Sequence, residues 1–440
     1  MIDYSSLVSS VSHHHPAWRP EEPWPATFAV PLSVDAPFEA DAFLAGLAGA
    51  LEASIEVLEF LPSADERSPW SVVVRIPGRG APVVISLERT KRMDEVPPAI
   101  AGRVAASRFT LIVESLLESE DPRLDWAKLV GIATAHDASI AVLDASTGRW
   151  FDGPEIDGDL LDAELGPPED VLWRVQAVST SEDLDQGTVW LYTRGLLRCG
   201  LPELELLEVP GASAPAASRI LDALAALLLE DGPPPPEVPY SIGPGIDIAL
   251  IPWREAIEAL DPESLGDDAD RAALSQETPN PLQARRAAVC DIEPKGSFKK
   301  IWTWPADAVA HFSRPDASIY RSDAATARSS AIARRSWNRA VEARASTGEG
   351  LVLLAGVPLG ADADGRIEHA WVQVDSTTAH GGTGLMLRNA MDGRAAGTSV
   401  EFKAADIDGW RLVRGDVAIG PEDRVDPMAF AAEGGTGPSA

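Results

Sequence analysis

Cysteine is scarce: Cys199 and Cys290 are the only two in 440 residues, and they stand far apart in no metal-type spacing. A small secreted fold stapled by disulfides needs more, so a reducing, cytoplasmic setting is expected. The first 23 residues have no basic stretch leading into an apolar one, so no secretory signal is expected there. The longest apolar run, around residues 220–229, is too short to cross a bilayer and is interrupted by Asp222. Positive charge is short as well: Lys plus Arg number 37 against 68 Asp plus Glu, a formal charge of −31. Such a field repels phosphate, so neither nucleic acid nor membrane is expected as a partner, and a basic protein is. Phosphate-binding and nucleophile motifs of the GxxxxGK, GxGxxG and GxSxG kinds are missing. His136, His311 and His380 sit in no metal-ligand spacing, and the tract His13, His14, His15 lies in a proline-flanked arm without further ligands. No catalytic residue, metal or cofactor is therefore assigned.

What is present is ordinary globular material, with 45% hydrophobic and 24% charged residues. Heavy Ala, Gly, Pro, Arg and Asp usage with few Lys points to a bacterial source. At roughly 150 residues per domain, the length suggests about two to four domains. ATFAVPLSV reads as a strand, residues 38–53 as an amphipathic helix, and SIEVLEFLP, WSVVVRIP and PVVISLE as three more strands. This β-α-β-β-β order defines a first module over residues 1–97. A second, over 98–230, runs from RFTLIVESLL through two tryptophan-bearing strands to an Ala/Leu-rich helix. The proline-rich stretch 231–245 reads as a linker, because four consecutive prolines favour an extended chain. Residues 246–440 form the C-terminal region, where 324–345 reads as an Arg-rich helix followed by strands. The arginines there (Arg328, Arg334, Arg335, Arg339, Arg344) are expected to pair with the chain's own acids. The fold class is α+β: three modules of antiparallel sheet with helices packed on one face.

Two segments resemble known families. EHAWVQV (368–374), the step Gly384–Leu385–Met386–Leu387–Arg388–Asn389, the strand 397–400 and the ending Ile407 to Trp410 resemble the YegJ-like bacterial domains of unknown function, over about 324–413. Two departures stand out: Gly409 replaces the Asp usual before the last Trp, and Ala390 replaces the Pro after the Asn step. VLDASTGRWF and VWLYTRGLLRCGLPELELLEVP are similar to an uncharacterised bacterial α+β family whose members read Trp-Leu-His-Thr-His-Gly. Tyr192 and Arg194 occupy the two histidine positions here, and an arginine, always protonated, cannot ligate a metal. Neither resemblance implies an activity.

Strand alternation places His369, Trp371, Gln373 and Asp375 on one face, opposite an apolar face of Ala370, Val372 and Val374. A ligand surface is one reading, with Trp371 as stacking platform and His369 as donor or base. The competing reading gives these side chains to backbone satisfaction and a second small core. Asn389, Asp406 and Trp410 are candidates for the same ligand site, and turn chemistry is the alternative for the first two. Arg194 and Arg198 are candidates for an anion clamp, or for plain pairing with Glu203, Glu205 or Glu208. Cys199 has no sequence-adjacent base and is no persuasive nucleophile. The functional expectation is a non-catalytic binding or regulatory protein of the immunity or stress type, with an acidic surface. The alternative is an enzyme acting on a small polar ligand at the His369 face.

Overall fold

The sequence ATFAVPL, almost wholly buried along its length, makes the spine of the first sheet. The computed structural model describes residues 16–18, 24–61, 69–119, 121–162, 164–181, 183, 187–243, 245–261, 264–275, 280–292, 302–314, 320–347, 350–361, 367–378, 380–390, 393–423 and 425–432. The tract His13, His14, His15 lies outside them. In chain order the first part reads β1 (Ala26–Leu32), α1 (Ala40–Ala50), β2 (Glu56–Phe60), β3 (Trp70–Arg75), β4 (Val83–Arg89), α2 (Pro98–Ala106), β5 (Phe109–Ser115), α3 (Pro122–Ala133), β6 (Ala141–Asp144), β7 (Arg149–Asp152) and the short turn α4 (Gly153–Glu155). The seven strands form one antiparallel sheet in the order β2-β3-β4-β5-β1-β6-β7. β4 alternates buried and half-buried residues, as a strand with one packed face should. Helix α1 buries Ala40, Phe43, Leu44 and Leu47, the three-and-four spacing of one helical face. Helix α3 opens on Asp121, whose carboxylate accepts from the Arg123 amide, with Pro122 at the first helical position. Its Trp126 sits edge-on to Phe28 and Phe151, at 5.9 and 5.3 Å between ring centroids.

A boundary at residue 97 does not divide this sheet. β5 follows α2 and inserts between β4 and β1, pairing with β1 over seven residues from Ala26 to Leu32. A central strand buried in the sheet cannot belong to another module.

The second sheet contains β8 (Arg174–Ser179), β9 (Thr188–Arg194), β10 (Glu203–Pro210), β11 (Tyr240–Gly243), β12 (Ile246–Pro252) and β13 (Arg286–Cys290), in the order β11-β12-β13-β10-β9-β8. Only β10 and β13 run parallel. Helix α5 (Ala214–Asp231) packs one face through Ala217, Ile220, Leu221, Leu224 and Leu228. With the preceding turn it is long and apolar enough to cross a membrane, yet that stripe is buried in the protein core. Helix α8 (Ala306–Phe312) lies against α5. The opposite face of this sheet is also covered, by α6 (Trp253–Ile257) and α7 (Asp268–Leu274), so here helices sit on both sides.

The proline run does not act as a free linker. Gly232 ends α5, Pro233 is buried, and the Pro234 carbonyl accepts from the indole of buried Trp18 at 2.6 Å. Residues 240–243 then form edge strand β11 of the sheet that precedes the prolines. Polyproline stiffness here serves a packed crossover between β10 and its parallel neighbour.

Contacts divide the chain into two compact units, 1–322 and 323–440. The first holds both sheets around one continuous core. The second has α9 (Asp323–Thr347), β14 (Val352–Ala361), β15 (Ile367–Thr378), β16 (Gly381–Met386), β17 (Ser399–Lys403), β18 (Gly409–Arg414), β19 (Val417–Ile419) and α10 (Pro427–Ala432). Its antiparallel order is β17-β16-β15-β14-β18-β19. Helix α9 buries Ala333, Trp337, Ala340 and Ala343 against it, while Arg339 pairs with Asp426 at 3.2 Å. The α+β class and sheet-and-helix modules are as the sequence pattern implies.

Candidate functional site

In the C-terminal unit, alternation along β15 is as the sequence implies. Ala370, Val372 and Val374 are buried, while His369 is exposed and Trp371 half-buried on the other face. The Nδ1 atom of His369 is paired with the carboxylate of Asp408. Two glycines make room for this layer. Across the sheet Trp371 stands opposite Gly356, and Gly356 opposite Gly409. A Cβ at Gly356 would collide with the Asp408 carboxylate, and one at Gly409 would meet the Trp371 ring at 3.2 Å. The indole therefore lies along bare backbone, with the Arg411 guanidinium 4.9 Å from its centroid. Arg388 donates to the His369 carbonyl at 3.0 Å.

The remaining candidates do not join this layer. Trp410 points the other way, is 1% exposed, and donates from its indole to Ser336 of α9 at 2.9 Å. It belongs to the core because strand alternation opposes it to Gly409. Asn389 accepts from the Ala396 amide at 2.9 Å and shapes a turn. Asp406 is exposed in the helical turn Ala404–Asp406. The residues that do complete the layer, Asp408 and Arg411, went unassigned in the sequence. The signal was there: Gly409 and Arg411 alternate with buried Trp410 and Leu412, and the acid is displaced one position to Asp408.

Arg198 is no clamp for a ligand. Both its terminal nitrogens bond Asp144 at 2.8 Å, in a pair almost wholly buried, and it also donates to the carbonyls of Val171 and Leu172. Asp144 further accepts from the Trp126 indole and the Ser146 amide. The pair ties the end of β6 in the first sheet to the turn after β9 in the second. Burial pushes the neighbouring Cys199 thiol up to about 12, against the opposing pull of Arg198, so it stays protonated and non-nucleophilic at neutral pH.

Arg194 lies elsewhere, on the second face of the central sheet. It donates to the carbonyls of Ser146 and Ala145 at 3.0 and 3.3 Å and lines a cavity of about 190 Å³. Gln176, Tyr192 and Arg286 line it from the sheet, and Ser275 and Leu282 from the covering segments. Beneath it is a buried charge cluster. Glu205 receives Arg271 through both oxygens at 3.0 Å and the Trp190 indole at 3.3 Å. Arg271 is held in place by the Gly266 carbonyl and is sandwiched between Trp190 and Trp253, at 4.7 and 3.8 Å from their ring centroids. Arg286, 1% exposed, reaches the same carboxylate only at 3.8 Å and lies 5.1 Å from the Tyr192 ring. Burial pulls its pKa down, with Glu205 and Glu203 opposing. Arg271 and Arg286 are invisible to motif reading, since each stands alone in sequence.

Among the described residues, no group of three or more His, Cys, Asp or Glu could hold a metal ion. Residues 175–282 match a family model described as protein of unknown function (DUF4026), C-terminal. That match covers the cavity residues from Gln176 to Leu282 and ends before Arg286. No curated protein and no solved structure matches the chain.

The Arg198–Asp144 pair makes a direct prediction. Asp144→Asn leaves a buried guanidinium uncompensated and should lower stability by about 3–5 kcal/mol in urea unfolding. Adding Arg198→Met should recover much of that loss. A single-variant loss under about 1 kcal/mol would show that the pair does not join the sheets.

Proposed function

We propose that this is a non-catalytic binding and regulatory protein, bacterial and cytoplasmic, of the immunity or stress type, whose acidic exterior engages a basic partner. The observation that carries the reading is where the charge resides. Among the described residues the buried charges nearly cancel: Arg79, Arg198, Arg271 and Arg286 against Asp125, Asp144, Glu169, Glu203 and Glu205. All but one of the 31 excess negative charges are thus carried outside that set. Edge strand β2 gives such a partner a place to dock: all five residues are exposed, Glu56 and Glu59 beside Val57, Leu58 and Phe60. Its outer side is unpaired by any strand among the described residues. The YegJ-like resemblance of residues 324–413 belongs to this reading as a second binding module.

One observation favours a second reading, an enzyme acting on a small polar ligand at the His369 face. A carboxylate on Nδ1 orients an imidazole and leaves Nε2 available, which is how a general base is held.

Affinity capture from an extract of the source cells should recover proteins rich in Lys and Arg. They should be released at about 1 M salt, where the screening length falls to about 3 Å. Capture should weaken for a Glu56→Lys/Glu59→Lys variant. No capture, or capture indifferent to both salt and charge reversal, contradicts the reading. The two readings separate on His369→Ala: a binding protein keeps its cellular phenotype, whereas the enzyme loses both turnover and phenotype.

A further inference from the structure

The open face of β15 displays polar groups that the fold itself does not use. Acids outnumber bases 68 to 37 in this chain, yet exposed Arg411 makes no hydrogen bond or ion pair among the described residues. Its guanidinium lies instead over the Trp371 ring, 4.9 Å from the centroid. The Trp371 indole N–H has no acceptor among the described residues either. By contrast, the indoles of Trp18, Trp126, Trp190 and Trp410 each donate to a protein oxygen. Asp408, the acid of this layer, is taken by Nδ1 of His369, which leaves Nε2 open to solvent. Arg388 spends Nη2 on the His369 carbonyl and adds a second positive charge nearby.

Apolar surface flanks these groups. Leu385 and Leu387 alternate with buried Met386, which pairs with Val372, so both face the same way as Trp371. They are 40% and 47% exposed, and the Leu387 amide donates to the Trp371 carbonyl at 3.0 Å. On its other side the indole lies along the glycine backbone of residues 356 and 409. A solvated guanidinium over an indole is a weak contact, so the ring of a ligand displaces it at small cost. The displaced guanidinium remains tethered beside the ring, free to meet the ligand's charge.

We propose that this face binds a small planar aromatic anion. Its ring stacks on the Trp371 indole beside Leu387, and its carboxylate or phosphate is held by Arg411. The indole N–H and His369 Nε2 supply the remaining polar contacts. A guanidinium fork matches either anionic group, so the indole is what selects an aromatic ligand over a simple acid. The proposal rests on the second reading above for the location of the site, and it names that site's ligand class.

Isothermal titration of the full chain with benzoate, indole-3-carboxylate, adenosine monophosphate, acetate and inorganic phosphate tests this. At least one aromatic anion should bind saturably, and at least about tenfold more tightly than acetate or inorganic phosphate. Either an aromatic carboxylate or the nucleotide as the tightest ligand supports the proposal, and the order tells which anionic group Arg411 holds. Trp371→Ala and Arg411→Gln should each weaken binding about tenfold, the range of one stacking contact or one charge-assisted bond. Arg411→Gln changes an exposed side chain that carries no bond of the fold, so circular dichroism should show the structure intact and the loss of binding is specific. No saturable binding of any aromatic anion up to about 10 mM overturns the proposal. So does equal affinity for acetate or inorganic phosphate, or binding that Arg411→Gln leaves unchanged. Binding without turnover contradicts the enzyme reading and leaves this one standing, whereas turnover at this face of a ligand without an aromatic ring does the reverse.

Discussion

One carboxylate between two guanidinia organises the central sheet. Glu205, Arg271 and Arg286 have no exposed side-chain surface, and the geometry favours one arginine over the other. Removing three charges from water is expensive and is repaid only where each finds close partners. Arg271 has them: Glu205, the Gly266 and Leu282 carbonyls, and two indole faces. Arg286 does not: it reaches Glu205 only at 3.8 Å. The cluster also explains why this face of the sheet has tryptophans and arginines where the α5 face has Ile and Leu. A charged face can be covered only by segments that bring aromatic surface and carbonyl groups, which α6, α7 and residues 280–285 supply.

The same economy of partners governs the other conspicuous side chains. Asp144 satisfies Arg198, an indole and a backbone amide at once. Glu203 accepts from the amides of Gly195 and Leu197 and from Thr193, closing the turn that carries Arg198. Gly195 is obligatory there: its φ is +123° and a side chain would run into the Leu172 carbonyl. In the C-terminal unit the layer of Trp371, Arg411, His369 and Asp408 is of another kind, resting on glycine-bared backbone and open to solvent. Polar chemistry is thus sequestered in one unit and displayed in the other.

Much of the fold was legible because it depends on local pattern. The α1 stripe, the alternation in β4 and β15, and the Ala/Arg pattern of α9 each follow from residue spacing alone. Module boundaries were not legible. Placing β5 between β4 and β1, or β13 beside β10, depends on long-range pairing that no local signal encodes, and four prolines look the same in a free linker and in a packed crossover. Among site residues, the facing of His369 and Trp371 could be read from periodicity. The burial of Trp410 could have been, had Asp408 and Gly409 been set in register with it. Arg198 and Arg194 look alike in sequence, yet one is locked to Asp144 and the other borders a cavity, because their partners lie about fifty residues away along the chain.

If Glu205 is committed to Arg271 and only loosely to Arg286, unfolding stability should separate the two arginines' roles. Urea unfolding of Glu205→Gln should lose about 3–5 kcal/mol, because two buried guanidinia lose their counter-ion. Arg286→Met should be neutral or gain about 1 kcal/mol, since Arg271 keeps its own carboxylate. Equal destabilisation by both variants would mean that Arg286 is an ordinary structural partner of Glu205, and the account would fail.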